Sequence, residues 1–512
     1  MSGFGRAQCV ALRGLAGIGV QIEVHASAGL PAVIIVGLPG PAVQQARHRT
    51  WSAIARMGLS APRGKVVINL TPASLPKTGT HFDLAMAVAV LRASGVVPQD
   101  DGETALLGEL GLDGRLRPVA GLLPLARAAA EAGMTRLVVP SASVDEAALV
   151  AGLRVLGAPS LAHAAALLGA EVDPEPVEAV PTEPVPERAH AALDLAEVIG
   201  NRDAVDALEV AAAGAHHLMM VGPPGAGKTM LAMRLPGILP PLSHEQALEV
   251  ASLRSLAGEA VPATLDLLPP FEHPHHTATG VALVGGGSGT IRPGAAARAS
   301  HGVLFLDEAP EFPRAVLDML RQPLESGTIT IDRASGSATF PARFQLLLAA
   351  NPCPCGLFGS GDCTCAPQQR RRYFGRLSGP LLDRVDLQVR VDRVAPAIDR
   401  GSGAGSRDAE GRSTADAAAR VAEARARAAR RLAGTAWTAM GHVPGPWLRR
   451  SLPLDPRLLA PLERALESGA LTMRGLDRTV RVAWTMADLD GAATPTTTHI
   501  GRALALRKGI PA

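Results

Sequence analysis

At 512 residues with a formal net charge of +3, the chain is too long for a single hydrophobic core and too nearly neutral for its charge to name a partner. A composition 47% hydrophobic but only 3% aromatic is that of a helix-rich water-soluble protein, and no apolar run approaches the ~20 residues of a membrane-spanning helix, so no membrane partner is expected. The start, Met1 to Arg13, has no apolar stretch with a cleavage site, and the cysteines (Cys9 alone, four between 353 and 365) form no disulfide framework, so a cytoplasmic location is expected.

In chain order, two segments of residues 1–172 stand out. One is Thr71-Pro-Ala-Ser-Leu-Pro-Lys77-Thr-Gly-Thr-His81-Phe-Asp-Leu; the other is Gly108-Glu-Leu-Gly-Leu-Asp-Gly114-Arg-Leu-Arg-Pro118, followed by Gly121. Together they resemble the Lon-protease-type domain, which implies an α+β fold. In active members the first motif carries a nucleophilic serine and the second a lysine base. Here the serine position falls on His81, and Gly121-Leu-Leu-Pro-Leu-Ala126 offers no lysine. A Ser–Lys dyad needs both groups, so the resemblance implies a scaffold without protease chemistry. Ser74 and Lys77 read as turn residues, not as a substitute pair.

Residues 173–190 alternate proline and glutamate with small residues and predict a semi-rigid extended linker. A nucleotide-binding domain is predicted over 191–395. It holds Gly222, Pro223, Pro224, Gly225, Ala226, Gly227, Lys228 and Thr229, a complete G-x-x-x-x-G-K-[ST] phosphate loop. The apolar run to Val221 before it predicts a buried strand, and Met230 to Arg234 after it predicts a helix. The glycines let successive N–H groups turn inward on an anion, and the helix N-terminus adds its dipole. Lys228 is expected to reach the β- and γ-phosphates of ATP, and Thr229 to ligate Mg²⁺.

Gly302-Val-Leu-Phe-Leu predicts a second buried strand that ends in Asp307 and Glu308. Asp307 is expected to share the Mg²⁺ with Thr229, and Glu308 to orient or deprotonate the attacking water. Phe344 to Ala350 predicts a third strand, delivering Asn351 to the place where a polar side chain positions that water. In Leu377-Ser-Gly-Pro-Leu-Leu-Asp-Arg384-Val-Asp386, the residues alone leave Arg384 open between a surface pair to Asp383 or Asp386 and a finger reaching a neighbouring subunit's γ-phosphate.

Cys353-Pro-Cys355 and Cys363-Thr-Cys365 stand seven residues apart, three of them glycine. Four thiolates on so short a loop can surround a tetrahedral Zn²⁺ with no open position, which makes the metal structural; four reduced cysteines are the alternative. Residues 396–414 predict a flexible loop. Residues 415–512 predict a helical lid, with helices over Ala415–Leu432, Arg457–Ser468 and Arg474–Leu489.

From Val198 to Arg507 the chain resembles the AAA+ ATPases of the magnesium-chelatase-like YifB/ComM family. The matching residues include Val198-Ile-Gly-Asn201, the phosphate loop, His275-His-Thr277, Leu283-Val-Gly-Gly-Gly-Ser288, Asn351-Pro-Cys-Pro-Cys-Gly356, the Leu377–Asp386 segment and Leu471-Thr-Met-Arg474. The resemblance implies an α/β fold, a parallel sheet between helices, followed by the lid. It implies that Arg384 is a finger acting in trans and Arg474 the sensor 2 arginine, with Arg478 and Arg481 as runners-up. It places an insertion over His275–Arg298 and a hairpin over Gly327–Phe344. Two departures, Glu272-His273 before Pro-His-His and Ala295 after Gly294, fall in or beside the insertion and bear on substrate contacts.

The implied function is a ring-forming motor, expected as a homo-hexamer, that hydrolyses ATP with Mg²⁺. As a helicase or branch-migration factor it would act on single-stranded, forked or junction DNA during recombination of incoming DNA. Arg333, beside the hairpin tip, is the candidate DNA contact, with Arg292 and Arg298 behind it. The alternative is a magnesium-chelatase-type motor that drives metal insertion through a partner. A regulatory module with a degenerate ATPase is disfavoured, because every hydrolytic residue type is present.

Overall fold

The computed structural model describes residues 3–508 except 61, 63, 101, 183, 186–192, 288–290, 334–335, 359–361 and 394–411. Much of the expected flexible loop and the end of the expected linker therefore lie outside the described residues.

The first sheet is mixed. Its strands are β1 (Gly3–Arg13), β2 (Ala16–Ser27), β3 (Ala32–Val36), β4 (Lys65–Thr71), β5 (Thr104–Leu106), β8 (Arg136–Pro140) and β9 (Arg154–Ala158), in the order β3-β4-β2-β1-β5-β8-β9. Strand β2 runs antiparallel to β1 and β4, and the remaining pairs are parallel. A small antiparallel ribbon, β6 (Glu109–Leu110) with β7 (Leu116–Arg117), stands beside it. Residues of β1, β2 and β4 alternate between buried and more exposed, as a sheet with one face on a core must. The helix Asp83–Ala93 is buried along its whole length against that face.

The second sheet has five strands. They are β10 (Leu218–Val221), β11 (Phe271–Glu272), β14 (Val303–Leu306), β17 (Gln345–Ala350) and β18 (Leu387–Arg390), in the order β11-β14-β17-β10-β18, and every pair is parallel. Alternate residues of one strand feed two cores. Leu218, Met220, Val303, Phe305, Leu347 and Ala349 face one, while Met219, Val221, Leu304, Leu306, Leu346 and Leu348 face the other. A strand covered on both faces can be continuously apolar, which is why these strands were legible as short apolar runs. Two antiparallel hairpins belong to the second core's side: β12 (Gly285–Gly286) with β13 (Arg292–Pro293), and β15 (Thr328–Arg333) with β16 (Gly336–Pro341).

Beyond the sheet lie helices Thr414–Arg431, Gly445–Ser451, Pro456–Glu467, Met473–Leu489 and Thr497–Lys508. Three of them match the expected lid helices within a residue; the second and fifth were not expected. The C-terminal end of the expected flexible loop is anchored, contrary to expectation. Arg412 pairs with Asp206 and the buried Glu209, and the Thr414 N–H donates to Asp194 Oδ1 at 2.7 Å. The fold is thus mixed α/β, with a parallel sheet covered on both faces and a helical C-terminal region. No helix among the described residues is long and apolar enough to cross a membrane.

Candidate functional site

Because all five strands of the second sheet are parallel, their C-terminal ends share one edge, and that edge collects the expected nucleotide residues. The phosphate loop follows β10, Asp307 and Glu308 follow β14, and Asn351 follows β17. Lys228 opens the helix Lys228–Ile238, and its ammonium donates to the Gly222 carbonyl (2.7 Å), the Pro223 carbonyl (3.1 Å) and Asn351 Oδ1 (3.1 Å). Thr229 Oγ1 donates to Asp307 Oδ2 at 2.6 Å, so the two expected Mg²⁺ ligands touch. The Glu308 N–H donates to Asp307 Oδ1 at 2.9 Å, and Glu308 Oε2 lies 3.4 Å from His276 Nδ1. Burial holds the Lys228 ammonium below the ordinary lysine value, with Asp307 and Glu308 pulling the other way. A buried cation beside two carboxylates, at the mouth of a loop of N–H groups, suits a metal-bound polyphosphate.

Arg384 stands at the opposite edge. Asp386, just before β18, and His217, just before β10, exchange backbone contacts: the Asp386 N–H donates to the His217 carbonyl at 3.0 Å, and the His217 N–H to Asp386 Oδ2 at 3.0 Å. The five residue steps from His217 to Gly222 along β10 span about 16 Å, too far for an arginine side chain to cross to its own chain's phosphate loop. Arg384 instead donates to the Pro380 carbonyl at 2.5 Å and pairs with Glu325, and its Nε is buried without a partner among the described residues. Neither Asp383 nor Asp386 is its partner, so the surface-pair alternative is not what forms.

Burial lowers the Arg384 pKa, and the positive neighbours Arg321, Arg474 and Arg478 lower it further. Arg474 is exposed and belongs to this arginine cluster. Arg478 donates to the Arg384 carbonyl at 2.8 Å and pairs with Asp386. Burial works against ionisation of Asp386, but Arg478, His216 and His217 more than offset it and hold the carboxyl well below the usual range. Arg481 is largely buried, which lowers its pKa. The sequence had marked Arg384, Arg474, Arg478 and, at the end of the Leu377–Asp386 segment, Asp386; Glu325 and Arg321 carried no motif signal.

The four clustered cysteines do come together. Their Sγ atoms all lie within 4.8 Å of one another, with Cys353 at 3.3 Å from Cys355 and 3.8 Å from Cys363, and Cys355 at 3.7 Å from Cys363. A ZnS₄ tetrahedron with bonds of about 2.3 Å has sulfur–sulfur edges of about 3.8 Å, so the donor set fits one such ion. Cys353 is buried, while Cys355 is exposed. The Leu357 backbone N–H, then Cys353, hold the Cys355 thiol down at about 6, toward the thiolate that a metal requires.

Of the candidate DNA contacts, Arg333 is exposed at the end of β15, paired in register with Gly336 across the hairpin; residues 334–335 at its tip lie outside the described residues. Arg292 is exposed on β13. Arg298 pairs with Glu272 (2.7 Å) and Glu259 (3.0 Å).

In the first domain, His81 is buried, with Nε2 2.9 Å from the Val10 carbonyl oxygen, and burial depresses its pKa to about 4. Lys77 was expected in a turn; it forms an isolated β-bridge with Pro39. It is fully buried, its ammonium donating to the carbonyls of Pro72, Leu70 and Gly37. Ser74 is exposed, and no hydrogen bond joins it to Lys77 among the described residues.

Comparison with known proteins agrees with this layout. Family models described as magnesium chelatase, subunit ChlI, match residues 194–398; a ChlI-subunit model matches 22–143, and a ChlI C-terminal model matches 411–507. The chain is 48% identical to an uncharacterized protein of Mycobacterium tuberculosis, over 98% of each chain. It is 40% identical to the uncharacterized protein YifB of Escherichia coli, and 39% identical to the competence protein ComM of Haemophilus influenzae. Each of these two matches spans 95% of this chain and 94% of the relative. A short match, 28% identical over 17% of this chain and 16% of the relative, is to Lon protease 2 of Bacillus subtilis.

Proposed function

Because the chain belongs to the YifB/ComM family of magnesium-chelatase-like AAA+ proteins, we propose that it is a cytoplasmic ATP-driven motor that works as a homo-hexameric ring on DNA. The observation that carries the ring is the separation of Lys228 and Arg384 to opposite edges of one parallel sheet. An arginine that cannot reach its own chain's nucleotide completes a site only on a neighbour. The phosphate loop, residues 222–229, cradles the phosphates; Thr229 and Asp307 would hold Mg²⁺, which would supply charge neutralisation there. Glu308 takes the proton of the attacking water, Asn351 positions that water, and Arg384 with Arg474 meets the γ-phosphate of the adjoining subunit. Cys353, Cys355, Cys363 and Cys365 hold one structural Zn²⁺.

DNA is the favoured substrate because Arg333 is exposed at the end of a two-stranded hairpin, close over the second hairpin: its Nη2 lies 3.0 Å from where a Cβ on Gly286 would stand. One relative is named a competence protein, in keeping with a helicase or branch-migration role in recombination of incoming DNA. The domain division 1–172, 173–190, 191–395, 396–414 and 415–512 serves that reading, with the first domain a scaffold without protease chemistry. The test is the ATPase rate with and without single-stranded, forked and junction DNA, which should rise with DNA. Arg333→Ala should weaken binding evenly across sequences and lower the salt slope by about 1. A wild-type protein that binds none of these DNAs at low salt with ATP would overturn the DNA reading and leave the chelatase-type motor in front.

A further inference from the structure

The cysteine loop is part of the wall of the phosphate loop. Gly356 lies in the turn closed by its N–H on the Cys353 carbonyl (3.0 Å), with φ +77°; a Cβ there would stand 2.5 Å from Pro224 Cδ and 2.7 Å from Pro224 Cγ. Pro224 is held from another direction as well, its carbonyl accepting from Arg393 Nε at 3.0 Å. Cys353 follows Asn351 by two residues, and Asn351 Oδ1 accepts from Lys228. At the far end, Cys365 leads into the helix Pro367–Phe374, whose buried Tyr373 hydroxyl meets the Asn351 backbone. Between these anchors the described residues have almost no regular structure, and among them Cys353 is the one fully buried cysteine, so little apolar burial holds them in place. Cross-linking by a metal can supply that restraint.

We infer that the metal centre of Cys353, Cys355, Cys363 and Cys365 braces the phosphate loop: it fixes Gly356 against Pro224 and Asn351 against Lys228, so nucleotide affinity depends on an ion that never touches the nucleotide. This rests on the reading that residues 222–229 bind ATP. The ion is a single tetrahedral thiophilic cation, zinc, because four sulfurs this close enclose one metal and not an iron–sulfur cluster. With four protein ligands it has no open position for substrate, so its action is mechanical.

The experiment uses the full chain, purified reduced, with metal content by elemental analysis and affinity for a fluorescent ATP analogue with Mg²⁺. Wild type should carry about one zinc per chain. The Cys363→Ser/Cys365→Ser variant, changed at the two half-buried ligands of the second pair, should lose the metal and bind the analogue about tenfold more weakly. Gly356→Val should keep its zinc and still weaken binding, because the added side chain pushes on Pro224. Stripping wild type with a chelator and restoring zinc should remove and return the affinity, which separates bracing from misfolding. Metal-free wild type, or a folded metal-free variant that binds normally, overturns the brace. Zinc-loaded wild type that binds no nucleotide overturns the ATPase reading and the brace with it, while the metal centre stands.

Discussion

Lys228 and Glu308 stand at one sheet edge yet should fail differently when changed. Lys228 is the cation at the mouth of the phosphate loop, so Lys228→Ala should abolish ATP binding measured by fluorescence or calorimetry. Glu308 touches neither the loop nor Thr229 among the described contacts, so Glu308→Gln should still bind ATP while turnover falls by about 10²–10⁴-fold, the usual worth of a general base. Normal turnover in Glu308→Gln would remove it from the water-activating role. Both residues were legible in the sequence, because a phosphate loop and an apolar strand ending in two carboxylates are local patterns. His276 beside Glu308 was not legible, since that contact joins segments far apart in the chain. The burial of Lys77 was not legible for the same reason: three backbone carbonyls from two separate segments hold its ammonium.

At the level of strands, parallel order decides which residues can cooperate. It gathers the ends of β10, β14 and β17 on one side and leaves Arg384, Arg474 and Arg478 on the other. On the proposed trans role, Arg384→Ala should retain nucleotide binding and lose hydrolysis, its target then lying on the next subunit. Mixed with Lys228→Ala protein, it should recover part of the activity, since some mixed interfaces pair an intact loop with an intact arginine. No recovery in rings shown to assemble would refute the trans role. Strand existence was readable from short apolar runs, and Arg384's dependence on strand order was not, because order is a long-range property. The second hairpin was missed too: β12 is two glycines, which carry no alternation to read. The unexpected helix Gly445–Ser451 begins with Gly-Pro and spans seven residues, too short for a periodic signal.

Over the whole molecule, the first domain is not merely tethered by a linker. The turn between β1 and β2 sits on the hairpin that bears Arg333: Arg13 Nε donates to the Ser337 carbonyl at 2.9 Å, and Leu12 and Leu15 pack into the ATPase core on that side. A second contact joins Gly121 N–H to the Ser255 carbonyl (2.8 Å) and Ser255 Oγ to Glu146 (2.5 Å). Sequence similarity could mark a Lon-like domain but not this docking, which depends on surfaces from both domains. Gly14 packs directly on β16. Its φ is +67°, and a Cβ there would stand 2.4 Å from the Thr339 carbonyl oxygen, so any side chain adds backbone strain to a collision with backbone. Gly14→Val should cost about 1–3 kcal/mol at the docking site, since it forces a branched residue into a left-handed conformation. Hydrogen exchange reads this locally: amides of β15 and β16 should exchange faster in the variant, while those of β10 and β14, in the buried parallel sheet, should keep their protection. Unchanged exchange along β16 would mean that the first domain does not hold the hairpin in solution.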